Sequence, residues 1–437
     1  MKLTNTQPAS QSAPVSVHGN FAWMTVGNAV YAACQWGMVS VLARLGSPEI
    51  VGQYALGVAV STPILMLAQL NLRTVLATDV AGEHHFLDYR DVRILSLVLA
   101  LLGIFVSGFF GHGTEDQPAV LLVALAQSVD WMADIYIGLF QQRERMKRIA
   151  ITLSLHGILS VVALGSVVAI TGKLSAGLIA VLVVRLLAFF LYDSTVATRG
   201  CIEPRNTAGQ DLRLRSAKLL RIVKTALPLG VVLMIGSFSS NIPRYFITNF
   251  LGLHALGIFA GLASLTTAAN LLVTALGQAA TPRLAKFHQE GDRKGFGRMS
   301  AQVAGIGVLL GLCGVAGSAI AGRWVLGLLF GKEYAAQSAI LLALSVAAGA
   351  GFVASLLGYV ITAGRRFTEQ MPLQVAAVAS TSLACLLLVP GFGLRGAAFA
   401  IGIGYLVQIL GELWVLRCIL KDPRNAPFAS LVQEAAQ

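Results

Sequence analysis

Two arginines stand inside long apolar runs, Arg185 in V-L-V-V-R-L-L-A-F-F and Arg244 in S-S-N-I-P-R-Y-F-I. A guanidinium keeps its proton in such surroundings, and holding it at the centre of a membrane helix costs about 2.5–3.5 kcal/mol on insertion scales. A docked anion repays that cost, as would a buried carboxylate or capped helix carbonyls, so both are candidate anion-binding residues, with Asn241 in the same run as Arg244. Asp130 and Asp134 are one helical turn apart and share a face with Gln127. Two carboxylates so close repel each other, so they either hold a proton or sodium ion for coupling or neutralise Arg185. Two further stretches carry polar stripes, one with Ser61, Thr62 and Gln69, the other with Ser264, Thr266, Asn270, Thr274 and Gln278. Facing a wet cavity, the amides of Gln69, Asn270 and Gln278 would bind sugar hydroxyls; facing a neighbouring helix, such small polar residues serve packing. His156 and Glu412 lie near an expected membrane interface and read chiefly as structural groups.

The elements that must position these residues follow from composition. Of 437 residues, 56% are hydrophobic and only 12% charged, with a mean hydropathy of +0.74. A soluble domain carries about a quarter charged residues, so the chain reads as an integral membrane protein. Apolar stretches long enough to cross ~30 Å of hydrocarbon occur at 21–42, 50–70, 94–111, 118–140, 149–171 and 174–192. Six more follow a polar gap, at 226–250, 256–280, 301–321, 337–362, 372–390 and 396–417. The expected fold is all-α, with twelve transmembrane helices in two six-helix lobes.

Lysine and arginine sort between alternate loops, 25 on the side of the N-terminus, five on the other and two within the membrane. By the positive-inside rule both termini face the cytoplasm of a multi-pass protein of a bacterial inner membrane. The net charge of +12 is then topology and attraction to anionic inner-leaflet lipids rather than nucleic-acid binding. Residues 1–20 read as a polar, disordered cytoplasmic tail rather than a cleavable signal, and 419–437 as a second tail. The lobes are 21–192 and 226–418. Between them, 193–225 ends in an amphipathic stretch where Leu212, Leu219, Leu220 and Val223 alternate with Arg213, Arg215, Lys218 and Arg221, as in an interfacial helix. The five cysteines read as small buried hydrophobes rather than a disulfide framework.

The halves echo each other. G-Q-Y-A-L-G at 52–57 pairs with G-I-F-A-G-L at 257–262, and L-S-A-G-L-I-A at 174–180 with L-R-G-A-A-F-A at 394–400. Six spans return the chain to the same side, so the repeats are parallel, and two such lobes enclose a cavity that can open to either face. Enzyme chemistry finds no support: there is no zincin pair, P-loop, nucleophile elbow or metal-spaced Cys/His cluster. G-F-G-L-R-G at 391–396 lacks the strand a dinucleotide site requires. No cofactor is expected.

The chain resembles the Wzx-type O-antigen and exopolysaccharide flippases, the polysaccharide-biosynthesis branch of the multidrug/oligosaccharidyl-lipid/polysaccharide exporter superfamily. The resembling stretches are L-G-S-P-E-I-V-G-Q-Y-A-L-G (45–57), N-L-R-T-V-L-A-T-D (71–79), D-I-Y-I-G-L-F-Q-Q-R-E-R-M (134–146), N-I-P-R-Y-F-I (241–247) and L-F-G-K-E-Y (329–334). The resemblance implies a flippase, not an enzyme, moving undecaprenyl-diphosphate-linked oligosaccharide between leaflets by alternating access, with a polysaccharide polymerase or export complex as partner. It also implies cationic cavity residues, Arg244 first among them. The alternative is an ion-coupled multidrug antiporter of the same superfamily, which wants carboxylates in the first or seventh span, where this chain has none. A lipid II flippase usually has fourteen spans, and a membrane glycosyltransferase would present a larger outward domain.

Overall fold

The computed structural model describes residues 17–79, 84–111, 117–200 and 212–421, and among these every regular element is helical. They are α1 (Val17–Leu45), α2 (Pro48–Gln69), α3 (Leu72–Thr78), α4 (Phe86–Gly111), α5 (Gln117–Gln142), α6 (Met146–Thr171) and α7 (Leu174–Ala188). A π-helical segment, Phe189–Ser194, leads into α8 (Thr195–Gly200). Then come α9 (Leu212–Gln289), α10 (Arg293–Leu329), α11 (Lys332–Ala335), α12 (Ser338–Ala363) and α13 (Phe367–Lys421). Among the described residues, eight helical stretches are long and apolar enough to cross a membrane. This is a membrane protein with several spanning helices.

Boundaries follow local chemistry. Pro48 opens α2, where its missing N–H costs nothing. Gly172, at φ 65, closes α6 in the left-handed conformation that glycine adopts freely. α9 and α13 are each two helices joined with almost no loop, broken only at Gly252 (φ 80) and Gly393 (φ 59). The sequence reading drew short loops there. Its linker at 193–225 is also shorter than expected: residues 193–200 continue the sixth span as helix, and 212–225 are the first turns of α9. Residues 201–211, and most of the two expected tails, lie outside the described residues. Cys34, Cys313, Cys385 and Cys418 are free thiols, and Cys201 lies outside the described part.

In the first half α1 packs on α6, α2 on α5, and α5 and α6 on α7; in the second, α10 and α13 pack on α12. α9 touches both halves and packs most extensively on α2. At the end of the bundle where α2 begins, Gly52 and Gly257 let the two backbones meet. A Cβ on Gly257 would run into the Pro48 carbonyl oxygen, and one on Gly52 into that of Leu253. The same end is tied by Ser40 Oγ donating to the Leu329 carbonyl (2.9 Å) and by His254, whose ring nitrogens face Glu49 and Glu333. Gly257→Leu should therefore push α2 from α9 and cost about 1–3 kcal/mol, the usual range for overpacking. Thermal unfolding in detergent measures this, with Gly103→Ala as control because nothing lies within 4 Å of that site.

Candidate functional site

The buried charge of the first half is gathered into one network. Arg185, on α7, is 4% exposed. Its NH1 sits 2.7 Å from Asp130 Oδ2 on α5 and donates to the Ala126 carbonyl at 3.0 Å, while Nε donates to Ser160 Oγ at 2.8 Å. His156, on α6, faces Asp130 Oδ1 through Nδ1 (3.0 Å) and Asp193 Oδ2 through Nε2 (2.9 Å). Ionised carboxylates only accept, so His156 fits this place as an imidazolium. Thr152 Oγ1 donates to Asp193 Oδ1 (2.6 Å), and Tyr31 OH to Asp130 Oδ2 (3.2 Å). Two cations and two carboxylates balance, which is the condition for keeping them out of water.

The π segment explains how Asp193 joins this network. Residues 185 and 193 are eight apart and in a regular α-helix would diverge by about 80°. One extra residue per turn over 189–194 makes the offset behave as about seven helical steps, close to two full turns, which returns Asp193 to the face of Arg185. A second cluster surrounds Asp134. Its Oδ1 lies 3.3 Å from Arg73 NH1 and its Oδ2 3.5 Å from NH2 of the fully buried Arg93, while Arg73 Nε donates to Gln141 Oε1 at 3.2 Å. Both clusters line a cavity of 310 Å³ with Gln35, Tyr54, Thr62 and Gln127.

A larger cavity, 770 Å³, lies between α1, α2 and α9. Its wall is mostly small and apolar, Ala29, Ala32, Ala33, Ala55 and Val58 among them, with Arg244, Ser264, Asn270 and Thr274 as the polar points. Gln35 and Tyr54 line both cavities, so the two adjoin. Arg244 NH1 donates to Asn241 Oδ1 at 3.0 Å, and Asn241 is anchored by donating from Nδ2 to the Ser237 carbonyl at 2.8 Å. Tyr245 OH donates to the Ala59 carbonyl and ties this segment to α2. Among the described residues no carboxylate pairs with Arg244. It is a fixed cation on the wall of an apolar cavity.

The structure thus brings Arg244 and Asn270 to one cavity and Arg185, Asp130 and Asp134 to the other, while Asn241 is buried against Arg244 and does not line the cavity. Gln69 is buried with its amide against Met66 Sδ, and Gln278 is exposed on α9; neither lines these cavities. Asp130 and Asp134 are already paired with arginines, and Arg185 is held by Asp130, so of the two intramembrane arginines only Arg244 keeps its charge for a ligand. Arg93 and Asp193 escaped the sequence reading because each lies one residue outside an apolar stretch, at 94–111 and 174–192. The helices run past the hydropathy edge. His156 offered no signal beyond being a titratable group in a span.

The model of the family described as "Polysaccharide biosynthesis protein" matches residues 17–288. The chain is 26% identical over 404 residues to "Capsular polysaccharide biosynthesis protein CapF" of Staphylococcus aureus, covering 92% of this chain and 99% of that one. Among solved structures it is similar to lipid II flippase MurJ in an inward closed conformation, with a TM-score of 0.71 at 12% identity, covering 91% of this chain and 87% of that one. An inward-facing multidrug resistance MATE family transporter of the MOP superfamily gives a TM-score of 0.68 at 15% identity, covering 92% and 99%. These two likenesses concern the fold.

Proposed function

This chain belongs to the polysaccharide biosynthesis protein family, and on that premise we propose that it is a flippase for undecaprenyl-diphosphate-linked oligosaccharide. In this reading twelve passes form two six-helix lobes in the bacterial cytoplasmic membrane with both termini inside, and the lobes alternate in exposing the cavity between them. The work is transport, with no bond made or broken.

The observation that carries the proposal is Arg244, an acid-free guanidinium on the wall of the 770 Å³ cavity. A lipid diphosphate brings two or more negative charges, and a guanidinium fork matches phosphate oxygens bidentately. Asn241 holds the fork, and Asn270, Ser264 and Thr274 offer hydrogen bonds to the adjoining sugar. A cationic drug would meet repulsion at the same point, which disfavours the multidrug antiporter. Arg185, beyond Gln35 and Tyr54, stays bound to Asp130 and is a secondary docking point of this reading, reached by exchange of that carboxylate for the substrate anion. Capture of the substrate from a polysaccharide assembly complex, and attraction of 212–225 to anionic lipid, complete the reading.

The test is reconstitution. Proteoliposomes holding the purified protein should expose a lumenal undecaprenyl-diphosphate glycan to an external lectin or glycosidase, while protein-free vesicles should not. Equal exposure in both would reject flipping. Asp130 and Asp134 remain the proposed acids for gradient coupling in the first lobe, so collapsing the proton or sodium gradient should slow exposure; rates indifferent to both gradients would reduce the pair to holding arginines.

A further inference from the structure

The second half has a cavity of its own, 300 Å³, between α12 and the two arms of α13. Its polar lining includes Tyr359 and Thr362 from α12 and Gln370, Gln374, Gln408 and Glu412 from α13. Glu412 is 4% exposed. Its Oε1 accepts from Gln408 Nε2 at 3.0 Å, whereas Oε2 is buried with no hydrogen-bond partner among the described residues.

The contrast with the first half is one of charge. There Asp130 has Arg185 and His156, Asp134 has Arg73 and Arg93, and Asp193 has His156 and Thr152. Among the described residues, no lysine, arginine or histidine lines the Glu412 cavity. A buried carboxylate lacking a countercharge is heavily penalised, so Glu412 takes its neutralising charge from outside the chain, as a proton or as a bound cation.

The donor set says which kind. Gln370 Nε2 is committed to Thr362 Oγ1 (2.8 Å) and the Gly358 carbonyl (3.1 Å), and Gln408 Nε2 to Glu412, which leaves the amide oxygens of both as acceptors. With the hydroxyls of Thr362 and Tyr359 and the orphan Glu412 Oε2, the pocket offers oxygen ligands and neither thiol nor imidazole. Hard oxygen donors select alkali and alkaline-earth ions. One carboxylate balances one positive charge, and a divalent ion would leave an excess charge in a low-dielectric site. We infer that the cavity walled by Tyr359, Thr362, Gln370, Gln408 and Glu412 is a binding site for a monovalent alkali cation, for which sodium is the probe, with Glu412 as its charge partner. Tyr359 packs on Gly277 of α9, where a Cβ would strike its ring, so occupancy of the site is in contact with the helix that walls the cavity of Arg244. The cation site itself does not rest on the reading of Arg244.

The experiment uses purified full-length protein in detergent, at fixed pH and ionic strength, in sodium, potassium or choline chloride. Sodium should raise the melting temperature by several degrees over choline with a saturable midpoint, and about one ²²Na⁺ should be retained per chain. Glu412→Gln should melt as a folded protein and lose both responses. Thr362→Val and Gln408→Leu should move the sodium midpoint several-fold upward, which keeps the test open if the Glu412 variant fails to fold. The proposal is overturned if wild-type melting depends on pH alone and is the same in sodium and choline, if Glu412→Gln keeps the full sodium response, or if the Thr362 and Gln408 variants leave the midpoint unmoved. No glycan enters the measurement, so its failure and that of the flippase reading are separately visible.

Discussion

Arg244→Ala should abolish surface polysaccharide in a strain that depends on this protein, while the variant accumulates in the membrane and melts as the wild type does. The fold is spared because, among the described residues, the Arg244 side chain holds no carboxylate: it donates to the Asn241 amide oxygen at 3.0 Å, and Asn241 keeps its own anchor on Ser237. Function is not spared, because a charge-assisted hydrogen bond is worth about 1.5–3 kcal/mol and a bidentate fork uses two. One such bond alone corresponds to roughly 10–150-fold in affinity, at about 1.4 kcal/mol per factor of ten. Arg244→Lys should retain part of the export, since a point charge replaces the fork. Quantified surface glycan, set against membrane abundance and melting temperature, separates docking from folding. Undiminished glycan in the alanine variant would remove the anion site from this cavity.

Asp130→Ala is expected to act in the opposite manner, on stability first. Asp130 is the shared acceptor of Arg185, His156 and Tyr31, and its removal leaves a buried guanidinium facing only Ser160 and the Ala126 carbonyl. Breaking a buried pair by deleting one partner costs about 3–5 kcal/mol, a large share of the roughly 5–15 kcal/mol that holds a typical protein folded. The melting temperature in detergent should fall steeply. The double variant Asp130→Ala with Arg185→Leu should recover much of the loss, because it removes both charges and returns an apolar side chain to an apolar place. If Asp130→Ala melts like the wild type, or the double variant is worse than the single, the network does not hold this half of the bundle together. Arg185→Ala should be milder than Asp130→Ala, since Asp130 would still have His156 and Tyr31.

Much of the architecture was legible before any coordinate. Stretches of about 20 apolar residues can hardly be anything but membrane helices, because no other element satisfies its own backbone in hydrocarbon. Arg244 was legible for the same reason: a permanent charge in such a stretch stands out. Element ends were less so. Hydropathy places a boundary where polar residues begin, yet α4 and the helix after α7 continue past Arg93 and Asp193, whose charges are matched by partners on other helices.

Composition, charge asymmetry between loops and the spacing of apolar runs determine by themselves that this chain is a helical membrane protein, and they single out the arginines, because these properties depend on nearest neighbours along the chain. Which arginine is available to a ligand was decided only by the tertiary structure. Arg185 and Arg244 look alike in sequence, but Arg185 meets Asp130, 55 positions earlier, whereas Arg244 faces a cavity without an acid. Glu412 shows the same principle with the sign reversed. Electrostatic pairing in a low-dielectric bundle is settled by which faces the helices turn to one another, and one-dimensional spacing contains no measure of that.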